Sequence, residues 1–384
     1  MNTKLLGSSL IISGTALGAG MLAIPMVLAQ FGLLLGTLLM IFICFGTTYA
    51  ALLLLEATVK SGGGLGLNSV ARKTLGKGGQ LLTNALLYAL LICLLMAYIL
   101  GAADLVTQLV GSLGLQLTNT QSQIAFTLLA GLVIAGGTGI IDKLNRGLFF
   151  IMIASLTATL LFLLPDFSSE NISRIINDDY IDLIKTSAVL FTSFGFMVVI
   201  PSLVTYNHEA TDKQLRNMVI IGSLIPLACY LCWLFAVVGN LNPAQLANLK
   251  GVGDLIAAFE HSSSWIGTLL SVFTGLALLT SFFGVAMSLF NQNRDMFDQN
   301  KVVTYAITFV LPLMGSLFAA DKFLAVLGYA GIILVFLAVF IPLAMVYKLR
   351  LANTEQERYT AEGGAPMLIF SLVFGSFLLA SQVI

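Results

Sequence analysis

Charge is what this chain has least of: 18 basic and 18 acidic side chains in 384 residues make up 9%, where soluble domains carry about 25%. So little charge cannot solvate a globular surface, and no basic stripe is present to follow a nucleic-acid backbone. Histidine is nearly absent too. The only two, His208 and His261, fall at or beyond the ends of apolar runs, so neither is placed to act as a buried base or ligand. The four cysteines (Cys44, Cys93, Cys229 and Cys232) all fall inside apolar runs, which implies no disulfide framework. Cys229 and Cys232 spell C-x-x-C but have no second cysteine or histidine pair, so they read as helix filling, not zinc ligands. The glycine-rich stretch SGGGLGLNS at 61–69 lacks the Gly-Lys-Ser/Thr ending of a phosphate loop and reads as a flexible connection. With no paired acids, nucleophile or metal set in the apolar runs, an enzyme is excluded, and neither a cofactor nor a metal beyond a sodium ion is called for.

What the chain has is hydrophobicity, 58% of residues, with a mean hydropathy of +0.98. A bilayer core of ~30 Å needs about 20 apolar residues as helix, whereas barrel strands run about 10 and alternate. The runs here are long and do not alternate, so the chain reads as an all-α polytopic membrane protein. Eleven spans are expected, near 7–31, 33–58, 81–111, 122–141, 147–165, 186–206, 217–239, 264–290, 302–319, 323–347 and 366–383. The first run is too long for a signal peptide and shows no cleavage site, so it is expected to stay. With the N-terminus in the cytoplasm, fourteen of the eighteen Lys and Arg face inward, and only Arg174, Lys185, Lys250 and Lys322 face out. An odd number of spans then puts the C-terminus outside.

Two runs are interrupted. GTALGAGMLAIP at 14–25 places three glycines in seven positions within the first span; Gly14 and Gly18 have the G-x-x-x-G spacing of close helix packing. The sixth span contains FTSFGFMVVIP at 191–201, where Thr15-Ala-Leu-Gly18 is matched by Thr192-Ser-Phe-Gly195 and Met21 to Pro25 by Met197 to Pro201. Because five helices separate the copies, the second unit must cross the membrane in the opposite sense. That pattern is a five-plus-five inverted repeat with broken helices 1 and 6, the mark of alternating-access transporters, and span eleven is an extra C-terminal helix. The chain is then one transporter domain over 1–384, with repeats at about 7–165 and 186–347 and the extra helix at about 366–383.

Broken helices present N–H groups at one end and carbonyls at the other, a natural cradle for a zwitterionic amino acid. Its acid end would meet the amides of Ala19 and Gly20, and its amine the carbonyls of Thr15, Ala16 and the sixth span. No span has Arg or Lys at its centre, which argues against an anion pore or a dibasic substrate.

These residues carry a resemblance. GTALGAGMLAIP, ALLLLE at 51–56, FTSFGF at 191–196, PSLVTY at 201–206, LTSFFGVAMSLF at 279–290 and a DKLNRG turn between spans four and five together resemble the hydroxy and aromatic amino acid permeases of the amino acid-polyamine-cation superfamily, nearest the tyrosine-specific branch. The resemblance covers nearly the whole chain. It implies a LeuT-like fold in the bacterial inner membrane and cation-coupled uptake of an aromatic amino acid, tyrosine first, with tryptophan or phenylalanine, or an exchanger or sensor, as alternatives. Carried over residue by residue, it places Gly18 and Phe194 with Thr15, Ala16, Ala19, Gly20, Thr192, Ser193 and Gly195 at the substrate. It further implies a cation cage of the Gly14 and Leu17 carbonyls with Ala277, Thr280 and Ser281, hard oxygens suited to sodium. Phe194, Phe196, Met96 and Tyr98 are candidate walls of an aromatic pocket.

Two departures bear on coupling. Some proton-coupled relatives place a lysine in span five, where this chain has Met152, and the tyrosine branch can carry a histidine where it has Met197. Glu56 and Asp104 remain as span carboxylates, with proton carriage and structural hydrogen bonding both open.

Overall fold

The computed structural model describes residues 3–18, 20–62, 66–112, 114–135, 138–164, 168–172, 175–249, 251–260, 264–297, 300–319, 322–352 and 359–384. Ala19, Arg174, Lys250 and His261, all named above, lie outside them. Among the described residues every element is a helix. In order they are α1 (Thr3–Ala16), α2 (Gly20–Leu28), α3 (Leu33–Lys60), α4 (Leu67–Ser112), α5 (Asn119–Ala135), α6 (Thr138–Leu163), α7 (Ser169–Ile172), α8 (Tyr180–Lys185), α9 (Ser187–Ser193), α10 (Ile200–Tyr206), α11 (Asp212–Asn240), α12 (Pro243–Ala247), α13 (Val252–Glu260), α14 (Ser264–Phe297), α15 (Lys301–Ala319), α16 (Phe323–Val335), α17 (Ile341–Leu351) and α18 (Gly364–Ala380). Seven stretches are long and apolar enough to cross a bilayer, and α1 with α2, bent by 56°, can make an eighth. The apolar part of α6 and the whole of α18 are shorter apolar helices. The protein is a multi-pass helical membrane protein.

Breaks and kinks fall where the backbone chemistry requires them. In the sixth span α9 stops at Ser193, a 3-10 turn covers Met197–Val199, and α10 restarts with Pro201 in its first turn, the one place where a missing N–H costs nothing. In α4, Gly76 takes φ 83°, which kinks the helix between an amphipathic lead-in and the membrane span. A π-turn at Phe336–Phe340, just ahead of Pro342, joins α16 to α17 as one bulged span. One expectation is corrected. DKLNRG, at 142–147, is not a turn: α5 ends at Ala135 and α6 starts at Thr138 and runs through it.

If α1–α6 and α9–α17 are treated as two successive sets of five spans, several contacts recur in exchanged form: α14 packs on α6 and α4 on α16, α1 on α11 and α10 on α3, α4 on α5 and α14 on α15. Among the described residues, the close packing of α9 on α16 has no comparable counterpart between α6 and α1 or α2. Four pairs are their own counterparts, α3 with α11, α5 with α15 and, around the helix breaks, α4 with α14 and α2 with α9. Outside this body, α18 is held by aromatic edges: Phe42 meets Phe370, Phe374 and Phe377 at 6.4, 5.6 and 5.5 Å between ring centroids. The connections between α6 and α9 and between α11 and α14 form short helices, α7, α8, α12 and α13.

Candidate functional site at the paired helix breaks

The two broken spans stop at equivalent residues. Ala16, the last residue of α1, is matched by Ser193, the last of α9, when TALG at 15–18 is set against TSFG at 192–195. A helix that ends inside a membrane leaves carbonyls without their usual partners, at the negative end of its dipole. Both carbonyls converge on one side chain. The phenol of Tyr230, on α11 and fully buried, lies 2.7 Å from the Ala16 oxygen and 2.6 Å from that of Ser193. A phenol has one proton and donates to one acceptor at a time, so the pair of carbonyls has room for a further donor or a cation.

The breaks also touch each other. Ser193 Oγ donates to the Gly20 carbonyl at 2.9 Å, and a Cβ on Gly20 would sit 2.9 Å from Ser193 Cα, backbone against side chain with no room to give. Gly18 faces Ser281 of α14 so closely that any Cβ there would run into the serine hydroxyl. That hydroxyl hydrogen-bonds the phenol of Tyr98 on α4. The central pairs of helices thus deliver Tyr98, Ser281, Gly18, Gly20 and Ser193 to one place, with the buried Phe194 edge-on to Tyr230 at 5.1 Å.

Other expected residues have different roles. Thr192 Oγ1 donates to the carbonyls of Ala188 at 2.9 Å and Leu327 at 3.0 Å, which fastens α9 to α16. Thr15 is exposed and its hydroxyl donates back to Ile11 at 2.8 Å, so only its backbone belongs to the break. Ala19 lies outside the described residues, and Gly195 makes the turn that ends α9, its N–H donating to Thr192 at 3.0 Å. For the cation set, Gly14 faces Phe149 of α6, Leu17 and Ala277 are buried, and Thr280 Oγ1 donates to Leu276 at 2.8 Å with Met152 Sδ 3.9 Å away. A thioether therefore stands where a titratable lysine would need to be. The Thr280 and Ser281 oxygens keep lone pairs after donating their protons, so the residues present fit a small hard cation.

Three residues escaped the sequence reading: Tyr230, Trp233 and Thr274. Trp233, one turn from Tyr230, packs on Phe273 of α14 at 5.8 Å, and Thr274 lies two turns before Ser281 on the same face. Both are fully buried, and among the described residues neither Trp233 Nε1 nor Thr274 Oγ1 has a hydrogen-bond partner. An orphaned buried donor costs ~1–3 kcal/mol, which a ligand can recover. A signal was present in CYLCW at 229–233, since Tyr and Trp usually sit at membrane interfaces with their polar ends wet, not in mid-span.

The two span acids are engaged at the periphery. Asp104 Oδ2 accepts the Gly253 N–H at 3.4 Å and Gln108 Nε2 donates to the Gly253 carbonyl at 3.1 Å, which ties α13 to α4 at the mouth of a cavity of about 470 Å³. Glu56, with no side-chain exposure, accepts Arg350 Nε at 3.0 Å and Nη2 at 2.6 Å, Lys60 Nζ at 2.8 Å and the Ala361 N–H at 2.9 Å. Four donors to one carboxylate make it a fastening between α3, α17 and the segment that leads to α18.

Helices broken at matched positions in a multi-pass bundle, their ends turned inward onto a polar cluster, define the class as membrane permeases. The chain belongs to the tryptophan/tyrosine permease family, whose profile matches residues 1–382. It is 59% identical over 388 aligned residues, covering all of both chains, to "Glutamine transporter 2" of Aliivibrio fischeri. It is 33% identical, over 97% of this chain and 94% of the other, to "Tyrosine-specific transport system 1" of Haemophilus influenzae. To a "Tryptophan-specific transport protein" of Pseudomonas aeruginosa it is 29% identical, over 97% and 92%.

Proposed function

We propose that this protein imports a neutral amino acid across the bacterial inner membrane by cation-coupled alternating access, with glutamine as its first substrate. The observation that carries the substrate is the 59% identity, end to end, with a protein named a glutamine transporter, against 33% with one named tyrosine-specific. The orphaned Trp233 Nε1–H and Thr274 hydroxyl support it: a side-chain amide offers both an acceptor and donors to such a pair. On this reading the substrate ammonium approaches the Ala16 and Ser193 carbonyls that share Tyr230, and its carboxylate meets the amide end of α2 at Gly20. The exchanged helix contacts and the matched breaks support a LeuT-like inverted repeat of 11 spans; the lysine and arginine count supports an N-terminus inside and a C-terminus outside, with α13 as an outer lid. The coupling ion is a proton or sodium, and the Gly14, Leu17, Ala277, Thr280 and Ser281 oxygens are the proposed seat of sodium.

Tyrosine is the second reading, favoured by the tyrosine-specific relative and by the buried aromatic walls of Phe194, Phe196 and Tyr98. Counterflow in proteoliposomes preloaded with one amino acid at a time separates the two. Glutamine should drive counterflow of labelled glutamine while tyrosine, tryptophan and phenylalanine do not; the reverse order would replace glutamine with an aromatic substrate.

A further inference from the structure

At the end of the bundle where α3 finishes and α11 begins lies a cavity of about 510 Å³ that the transport reading does not use. Its polar half is formed by Arg216, Tyr359, Glu362 and Tyr49. Among the described residues Arg216 pairs with Glu362 through Nη1, and its buried Nε has no partner. Tyr359 is only 7% exposed, and among the described residues its phenol has no partner. Burial lifts that phenol above its ordinary pKa, which keeps it a proton donor. Two orphaned donors, one on a cation, belong to residues that line this one cavity, and an oxyanion seated against them would satisfy both. The Glu362 side chain is 78% exposed and offers a carboxylate to an ammonium beside it.

The other half is apolar, with Phe45, Leu52, Ile220 and Met367. It continues outward along exposed apolar side chains, Leu38 and Phe42 of α3 and Leu224 of α11, 56, 37 and 50% exposed. A soluble anion has no use for this half, whereas an acyl chain does. The polar half lies at the end that the lysine and arginine count assigns to the cytoplasm, the level of lipid headgroups.

We propose that this cavity holds one aminophospholipid, its phosphate on Arg216 Nε and the Tyr359 phenol, its ammonium at Glu362 and an acyl chain along Phe45 and Ile220. Bound there, the lipid bridges α3, α11 and the segment before α18 that Glu56 fastens. The reading stands independently of the transported substrate.

The test is native mass spectrometry and thermal unfolding of the delipidated full chain with phosphatidylethanolamine, phosphatidylglycerol, diacylglycerol or soluble glycerophosphoethanolamine added. One phosphatidylethanolamine should be retained and raise the unfolding midpoint. Arg216→Gln should weaken retention about tenfold, Tyr359→Phe and Glu362→Gln about threefold each. Tyr359→Phe discharges an unpartnered hydroxyl, so its lipid-free midpoint should hold or rise, and it remains informative if Arg216→Gln folds poorly. Equal retention of diacylglycerol, or retention unchanged by Tyr359→Phe, would overturn the phosphate site. Phosphatidylglycerol retained as well as phosphatidylethanolamine would overturn the ammonium pairing, and saturation by glycerophosphoethanolamine alone would make the ligand a soluble one.

Discussion

Replacing Glu56 with glutamine keeps the shape of the side chain and removes the charge that four donors share. In the native structure the carboxylate meets Arg350 through two contacts, Lys60 through one and the Ala361 N–H through another. The variant leaves two cations facing each other and turns an amide NH₂ toward at least one existing donor. Removing one partner of a fully buried pair costs ~3–5 kcal/mol. The Arg350 and Lys60 side chains are 21% and 13% exposed, so water partly compensates them and the expected loss is ~2–3 kcal/mol. Unfolding of the purified protein in mild detergent reads this directly. A double-mutant cycle with Arg350→Gln should give a coupling of ~1.5–3 kcal/mol, with the double variant recovering part of the loss. Because Glu56 is sealed from solvent, the loss should persist at ~1 M salt, where a surface pair would be screened. A loss below ~0.5 kcal/mol, full additivity in the cycle, or disappearance at high salt would refute the account of this carboxylate as a structural fastening.

Three further outcomes follow from the breaks. Gly20→Ala puts a methyl 2.9 Å from Ser193 Cα and should separate the broken spans at ~1–3 kcal/mol, abolishing uptake in protein that still reaches the membrane; wild-type uptake would mean that the contact is dispensable. Tyr230→Phe should cost ~1–2 kcal/mol of stability without substrate, yet tighten substrate binding, since the ammonium no longer competes with a phenol for the Ala16 and Ser193 carbonyls; weaker binding in calorimetry would contradict this. Thr274→Val removes an unpartnered hydroxyl, so the empty protein should be no less stable while glutamine affinity falls about threefold to tenfold, by loss of ~1 kcal/mol; unchanged affinity would remove Thr274 from the site.

The breaks were legible in the sequence because they are written locally: a glycine cluster interrupts the first run, Gly195 the sixth at the matched place, and Pro201 fixes where the second helix restarts. The resemblance also set Met152 at the lysine position of some relatives, and its sulfur lies 3.9 Å from Thr280 Oγ1. Tyr230 was not legible, because its role depends on α11 lying across both breaks, 214 residues from Ala16 and 37 from Ser193. Nor was the engagement of Glu56, whose guanidinium partner is 294 residues away, so that an isolated acid near a membrane interface read equally well as a proton carrier. The start of α6 was misplaced because a polar stretch drew the boundary to DKLNRG, although the helix carries these residues through from Thr138. Tyrosine was favoured from a resemblance carried by motifs at and beside the breaks, whereas relatives of this chain are named for glutamine, tyrosine and tryptophan. Trp233 and Thr274, proposed above to meet the substrate side chain, lie on other helices, α11 and α14.

The central claim is that the paired breaks run gradient-driven import of glutamine. Its most direct test is accumulation of labelled glutamine in proteoliposomes containing the purified protein, with inward proton and sodium gradients imposed separately. The account predicts accumulation above the external concentration under one gradient, collapsing when that gradient is dissipated and absent in Gly20→Ala. Glutamine that binds but only equilibrates under either gradient would contradict it.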